Sequence, residues 1–233
     1  MARRLFFIPA IHHGHAELRG EEARHLSKVL RVERGQIYEI SDNTQRYLAE
    51  VDAAHKELVS FRVLEKLDTP SDPCYLTLIL ALVKFDRLEW ILEKATELGV
   101  HRLTPFWCDR SENGLEKAAG KRIERWRKII LESAQQSRRT FLPTIDEPVP
   151  LEEALRQEAA ARYFLDEEER GVWAPEQTKS AALLVGPEGG WTARERQAAL
   201  NAGWSAAGLG PRILRAETAA LAGLAILSHG SLR

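Results

Sequence analysis

Two glycine-bearing turns in the last quarter of the chain constrain its architecture most. Each leaves an apolar run and enters an amphipathic stretch. The first reads Leu183-Leu184-Val185-Gly186-Pro187-Glu188-Gly189-Gly190, and the second reads Leu209-Gly210-Pro211-Arg212-Ile213-Leu214-Arg215-Ala216-Glu217-Thr218. Glycine lets the backbone adopt positive φ and approach a ligand closely, while neighbouring strand ends offer free N–H and C=O groups. Singly, either turn is ordinary punctuation between a strand and a helix. Together, with charged residues against both, they indicate a small-molecule site. The first turn is not followed by the Gly-Lys-Ser/Thr of a P-loop and lacks the glycine spacing of the dinucleotide fingerprint, so ATP and NAD chemistry both lose ground. Pro187 and Glu188 make this turn stiff and anionic, which disfavours phosphate and suits a cationic or polar ligand such as a sulfonium.

The region upstream divides at Leu67-Asp68-Thr69-Pro70-Ser71-Asp72-Pro73, a stretch of prolines and small polar residues that we read as a boundary between residues 1–70 and 71–233. Before it, the segments 36–40, 46–51 and 58–64 alternate with the two-residue period of short strands, predicting a small β-rich domain, a barrel in form. One early helix is expected over 20–30, with Ala23, Leu26, Val29 and Leu30 as its apolar stripe. After the boundary, strands at 75–83, 102–106, 162–165, 181–185 and 205–209 alternate with helices. This is the pattern of a mostly parallel sheet covered on both faces. Helices are predicted after residue 84 up to Gly99, over 116–139, over 151–161, from a Thr192/Glu195 capping box to 202, and over 216–229.

The formal net charge is only -1, and it is unevenly spread. From Lys117 to Arg139 there are eight Lys and Arg against two Glu, so this stretch suits a polyanion; from Glu147 to Glu169 eight acids face two Arg, and that stretch does not. Arg122, Arg125, Arg138 and Arg139 in the basic stretch, with Arg3, Arg4, Arg24, Lys28 and Arg31 near the N-terminus, are therefore candidate RNA contacts. Cys74 and Cys108 lack metal-site or disulfide spacing, which fits a reducing cytoplasm. His12-His13-Gly14-His15 reads as a polar loop, so no metal is expected. The start, Leu5-Phe6-Phe7-Ile8-Pro9, has the texture of a leader, but its apolar run is too short; no stretch is long enough to span a bilayer.

The two C-terminal motifs resemble the signature of the knotted SPOUT-class methyltransferases, and specifically the family that methylates N3 of a uridine in small-subunit ribosomal RNA. Other segments agree in order along the chain: His25-Leu26 with Val29-Leu30-Arg31, then Lys94-Ala95-Thr96-Glu97-Leu98-Gly99-Val100, then Gln135-Gln136-Ser137-Arg138. One departure is Ala216, where the family often has Thr. The resemblance implies a PUA-like RNA-binding barrel followed by an α/β domain threaded into a trefoil knot, a homodimer, and S-adenosylmethionine bent among the knot loops. It implies that Gly186, Glu188, Gly190, Leu209, Gly210, Ile213, Leu214 and Thr218 enclose the cofactor. Leu184, Val185, Pro187 and Arg215 are their neighbours in the two turns, and Leu165 is a candidate adenine contact. The expected partner is ribosomal RNA, free or within the assembled small subunit.

Methylation at N3 requires loss of the N3 proton and rigid placement of both reactants. Arg215 is the candidate for stabilising charge on the base or holding a phosphate. A desolvated carboxylate, Glu217 or Glu97, is the candidate proton acceptor. Two other readings stand beside this one: a ribose 2′-O methyltransferase of the same knotted class, and a non-catalytic RNA-binding or ribosome-assembly factor.

Overall fold

The computed structural model describes residues 4–69, 72–112, 114–171 and 173–230 and divides the chain into two compact units. Arg3, and residues 70 and 71 at the expected boundary, lie outside the described residues. The first unit holds the N-terminal region together with Ala134–Leu142, and the second holds the remainder.

In the first unit, β1 (Leu5–Phe7), β2 (Ile11–His12) and β3 (His15–Arg19) precede α1 (Gly20–Arg24), followed by β4 (Ile37–Ser41), β5 (Arg46–His55) and β6 (Leu58–Lys66). They form one six-stranded sheet in the order β1-β4-β5-β6-β3-β2, with β1 parallel to β4 and the other pairs antiparallel. Leu5-Phe6-Phe7 is therefore a sheet strand with a leader's texture, and Phe6 packs with Leu18, Leu26, Ile40, Val51 and Phe61 in the core. The histidine cluster makes the β2–β3 hairpin, its turn formed by His13 and Gly14 at φ 49° and 78°. The expected helix over 20–30 is α-helical only to Arg24; His25–Val29 widens into a π-helical turn. The widening keeps Ala23 and Leu26 in the core.

The second unit is built from β7 (Tyr75–Ala81), α2 (Phe85–Glu97), β8 (Arg102–Trp107), α3 (Leu115–Ala119) and α4 (Ile123–Gln136), the last three residues of α4 counting with the first unit. There follow β9 (Thr144–Ile145), β10 (Val149–Pro150), α5 (Leu151–Ala154), β11 (Ala161–Leu165), β12 (Ser180–Val185), α6 (Ala193–Asn201), β13 (Ser205–Ala207) and α7 (Ala216–Gly230). The sheet runs β10-β8-β7-β12-β11-β13, with β9 also on β8, and every pair is parallel. Such a sheet must be covered on both faces. Strand alternation sends Leu78, Leu80, Leu183 and Val185 toward Leu88, Ile91, Trp126 and Leu224 on one face, and Ile79, Leu184 and Phe164 toward Trp191, Ala199 and Trp204 on the other.

Two helix predictions need correction. The helix expected over 116–139 is α3 and α4 joined by a 3₁₀ turn at Gly120–Arg122. Glycine is a poor helix former, and at this one both helical segments meet. The helix expected over 151–161 is a single turn, α5, after which residues 157–160 lead into β11. In contrast, α7 spans Ala216–Gly230 and packs on α2, β12 and β7. Gly223 lets it sit so close that an added Cβ would lie 2.7 Å from a Leu183 methyl.

Candidate active site

The cleft lies at the carboxyl ends of β11 and β12, where an open parallel sheet presents unpaired backbone groups. It encloses about 570 Å³ and both glycine turns line it, together with Leu165, Asp166 and Glu167 at the end of β11, Arg87 of α2 and the start of α7. All of these residues come from the second unit.

Trp191 holds the first turn in place. Its indole N–H donates to the Leu165 carbonyl at 2.8 Å, and its ring stacks parallel to Phe106 at 6.1 Å and meets Phe164 edge-on. Gly186 packs directly on the same ring, where an added Cβ would lie 2.8 Å from it. Gly190 has φ +70°, and a Cβ there would meet the Glu167 carboxylate at 2.5 Å. Arg110 donates to the Gly189 carbonyl at 2.8 Å, and Arg87 forms an ion pair with Glu188. Behind the turn the capping box is complete: the Glu195 N–H donates to the Thr192 hydroxyl, and the Thr192 N–H to the buried Glu195 carboxylate, which also accepts from the Asp109 N–H. At the end of β11, Asp166 is buried and receives Arg196 in a two-pronged pair, which holds the Arg196 guanidinium above its ordinary pKa.

The second turn is open. Gly210 has φ +96° with nothing near a would-be Cβ, and Ile213 is 87% exposed although it lines the cleft. Arg215 lines the cleft with its side chain 75% exposed, and its nearest acidic atom is Glu217 Oε1 at 4.0 Å. Glu217 is only 16% exposed, and its Oε2 is buried with no hydrogen-bond partner.

Of the residues expected at the cofactor, Leu165, Val185, Gly186, Pro187, Glu188, Gly190, Leu209, Gly210, Ile213, Leu214 and Arg215 line this cleft. Leu184 faces the opposite core, as alternation along β12 requires, and Thr218 is exposed on α7 and is not among the residues that line the cleft. Glu97 is not brought to the cleft; it accepts from Lys94 at 2.8 Å, and the Lys94 ammonium is pushed up to about 12 by hydrogen bonds with Glu93 and Glu97. Sequence reasoning had no role for Arg87, Glu167, Arg212 or Trp191. The only signal was the tryptophan immediately after the glycine pair. Cys108 is no nucleophile, because burial pushes its thiol up to about 11.

The candidate RNA contacts fall into two sets. Arg24 pairs with Glu57, Arg122 and Arg125 with Glu89, and Arg138 with the buried Glu39. Arg139 is half-buried, while Arg4, Lys28 and Arg31 are exposed.

The cleft is thus glycine-walled, lies at the strand ends of a parallel sheet, and carries carboxylates suited to a cationic ligand beside arginines suited to a polyanion. The model of the family described as RNA methyltransferase domain matches residues 70–228. Ribosomal RNA small subunit methyltransferase E of Bacillus subtilis is 34% identical and covers 90% of this chain and 88% of its own length. Its Aquifex aeolicus counterpart is 32% identical over 91% of this chain and 93% of its own. The crystal structure of the Neisseria gonorrhoeae enzyme of the same name, bound to S-adenosyl methionine, superposes with a TM-score of 0.88 at 29% identity, covering 96% of each chain. The chain belongs to the ribosomal RNA small subunit methyltransferase E family.

Proposed function

We propose that this protein uses S-adenosylmethionine to methylate N3 of a uridine in small-subunit ribosomal RNA. The observation that carries the reading is the cleft itself. Its first wall is glycine backbone packed so closely that added Cβ atoms would strike Trp191, Arg110 and Glu167, and its lining combines Glu167 and Glu188 with Arg212 and Arg215. These residues fit the cofactor: the carboxylates complement its ammonium and sulfonium charges, and the apolar patch of Leu165, Val185, Leu209 and Ala219 complements its adenine. When bound, S-adenosylmethionine supplies an electrophilic methyl group on sulfur.

The chain's own residues do the rest. Val185, Gly186, Pro187, Glu188 and Gly190 form the rigid side of the site. Leu209, Gly210, Ile213, Leu214 and Thr218 would hold the cofactor from the other side, and Leu165 would be its adenine contact. Arg215, exposed and only loosely held by Glu217, stabilises negative charge on the uracil ring. Glu217, whose Oε2 has no partner, receives the N3 proton; Glu97, engaged by Lys94, is less suited to that task.

We assign residues 1–70 to a PUA-like RNA-binding barrel, in keeping with the bulged, six-stranded sheet around one core, and 71–233 to the methyltransferase domain. We further assign a trefoil knot to the C-terminal part. In its favour, β11 lies between β12 and β13, and the backbone at Gly208 passes so near the loop after β11 that a Cβ would lie 1.9 Å from the Glu169 carbonyl oxygen. The working form is a cytoplasmic homodimer, and the substrate is ribosomal RNA, free or within the assembled small subunit.

Titration calorimetry with S-adenosylmethionine tests the reading. The unaltered protein is expected to bind and Gly186→Val to bind at least about tenfold more weakly, a difference of about 1.4 kcal/mol. No binding by the unaltered protein overturns it.

A further inference from the structure

Four non-glycine residues among those described have left-handed backbone: His13, Arg31, Asn43 and Arg138. Three have evident local reasons. His13 occupies a two-residue hairpin turn, Asn43 is a residue type that tolerates this conformation, and Arg138 is tied to the buried Glu39. Arg31 has φ +52°, is exposed, and forms no salt bridge among the described residues. A left-handed arginine is strained against its ordinary backbone, and glycine there would remove the strain.

The residues just before it are irregular as well. His25–Val29 forms a π-helical turn, closed by the Leu30 N–H donating to the His25 carbonyl and the Val32 N–H to the Leu26 carbonyl. Single π turns recur at functional sites. This one buries Leu26 while leaving Lys28 exposed and Val29 64% exposed, a large fraction for a valine in a small domain. Among the described residues Lys28 forms no salt bridge, its charge reaching Glu57 only at longer range, whereas Arg24 on the preceding turn is taken up by Glu57 at 2.8 and 2.9 Å. Strain, exposed cations outside the salt bridges and an exposed aliphatic group thus coincide within seven residues.

We infer that the π turn and its left-handed exit, 25–31, are a grip for single-stranded RNA: Arg31 and Lys28 each hold a phosphate, and Val29 packs against an unstacked base or its ribose. Single strands suit this combination because their bases are free to leave the stack, and phosphate contacts dominate the affinity. Arg24, already neutralised, takes no part. The inference rests on the reading of the chain as an RNA methyltransferase and assigns part of its substrate contact to specific residues.

The test is fluorescence anisotropy with a labelled, uridine-containing single-stranded RNA of about twelve nucleotides across a salt series. The proteins compared are the unaltered chain, Arg31→Gly, Arg31→Lys and Lys28→Gln. Arg31→Gly is expected to weaken binding about fivefold to tenfold and to reduce the salt slope by about 0.7, the value for one lost contact on a single strand. Its melting temperature should be unchanged or higher, since glycine accepts φ +52° freely. Lys28→Gln should weaken binding by a similar factor, and Arg31→Lys should retain most of it. S-adenosylmethionine binding by all four is measured alongside. If the unaltered protein binds RNA and Arg31→Gly and Lys28→Gln bind it equally well, this inference falls and the methyltransferase reading stands. If affinity drops only together with melting temperature and cofactor binding, the turn is merely structural and the inference is again overturned. If the unaltered protein binds neither RNA nor cofactor, both fail.

Discussion

The two glycine turns look alike in sequence and are built in opposite ways. In the first, Gly186 presses on the Trp191 ring, Gly189 on the Arg110 side chain and Gly190 on Glu167, so the glycines are demanded by neighbours that are already packed. In the second, Gly210 faces open space and Ile213 is almost fully exposed. One wall of the cleft therefore exists before any ligand arrives, while the other keeps contacts in reserve for it. A preformed wall lowers the ordering cost of binding, and an open lip can close over what has bound.

Substitutions of glycine by alanine test this contrast, because one methyl group meets different obstacles at each place. Gly208→Ala should be the most damaging, by about 3 kcal/mol or more, since its Cβ collides with backbone at Glu169 and overpacking against backbone has no side-chain escape. Gly186→Ala should cost about 2 kcal/mol, because the indole can yield by a few tenths of an ångström but is held by its hydrogen bond to Leu165. Gly210→Ala should cost only about 1 kcal/mol, the strain of a left-handed alanine with no clash. Urea unfolding of the three variants checks the order. A Gly210→Ala loss as large as that of Gly186→Ala would contradict the description of the second turn as open.

A smaller effect is expected at the ion pairs of the basic segment. Arg125→Ala should leave stability nearly unchanged, since Arg125 is largely exposed even though it meets Glu89 through two hydrogen bonds. Its effect on RNA affinity should also be slight, in contrast to Arg31, because its charge is already balanced.

Much of this was legible in the residues. The alternation of strands and helices after residue 72, the capping box at Thr192 and Glu195, and the lining of the cleft by both turns followed from periodicity and glycine placement. The features that were not legible share a physical cause: they depend on partners distant in sequence. Leu5-Phe6-Phe7 is a strand only because β4 lies beside it; a three-residue apolar run carries no period. The charge run from Lys117 to Arg139 lost much of its free charge to Glu89 and Glu39, which no spacing rule connects to it. Leu184 left the site because neighbouring strand residues point to opposite faces, a rule that could have been applied to the sequence alone. Glu97 and Glu217 were equal as carboxylates on helices; one is paired to a lysine, and the other has a buried oxygen with no partner.

The account stands or falls on the chemical product. Small-subunit RNA incubated with the protein and S-adenosylmethionine, then digested to nucleosides and examined by mass spectrometry, should contain uridine carrying one added methyl on the base at N3, reduced by about a hundredfold with Arg215→Ala. A methyl group on the ribose, or none at all, would contradict it.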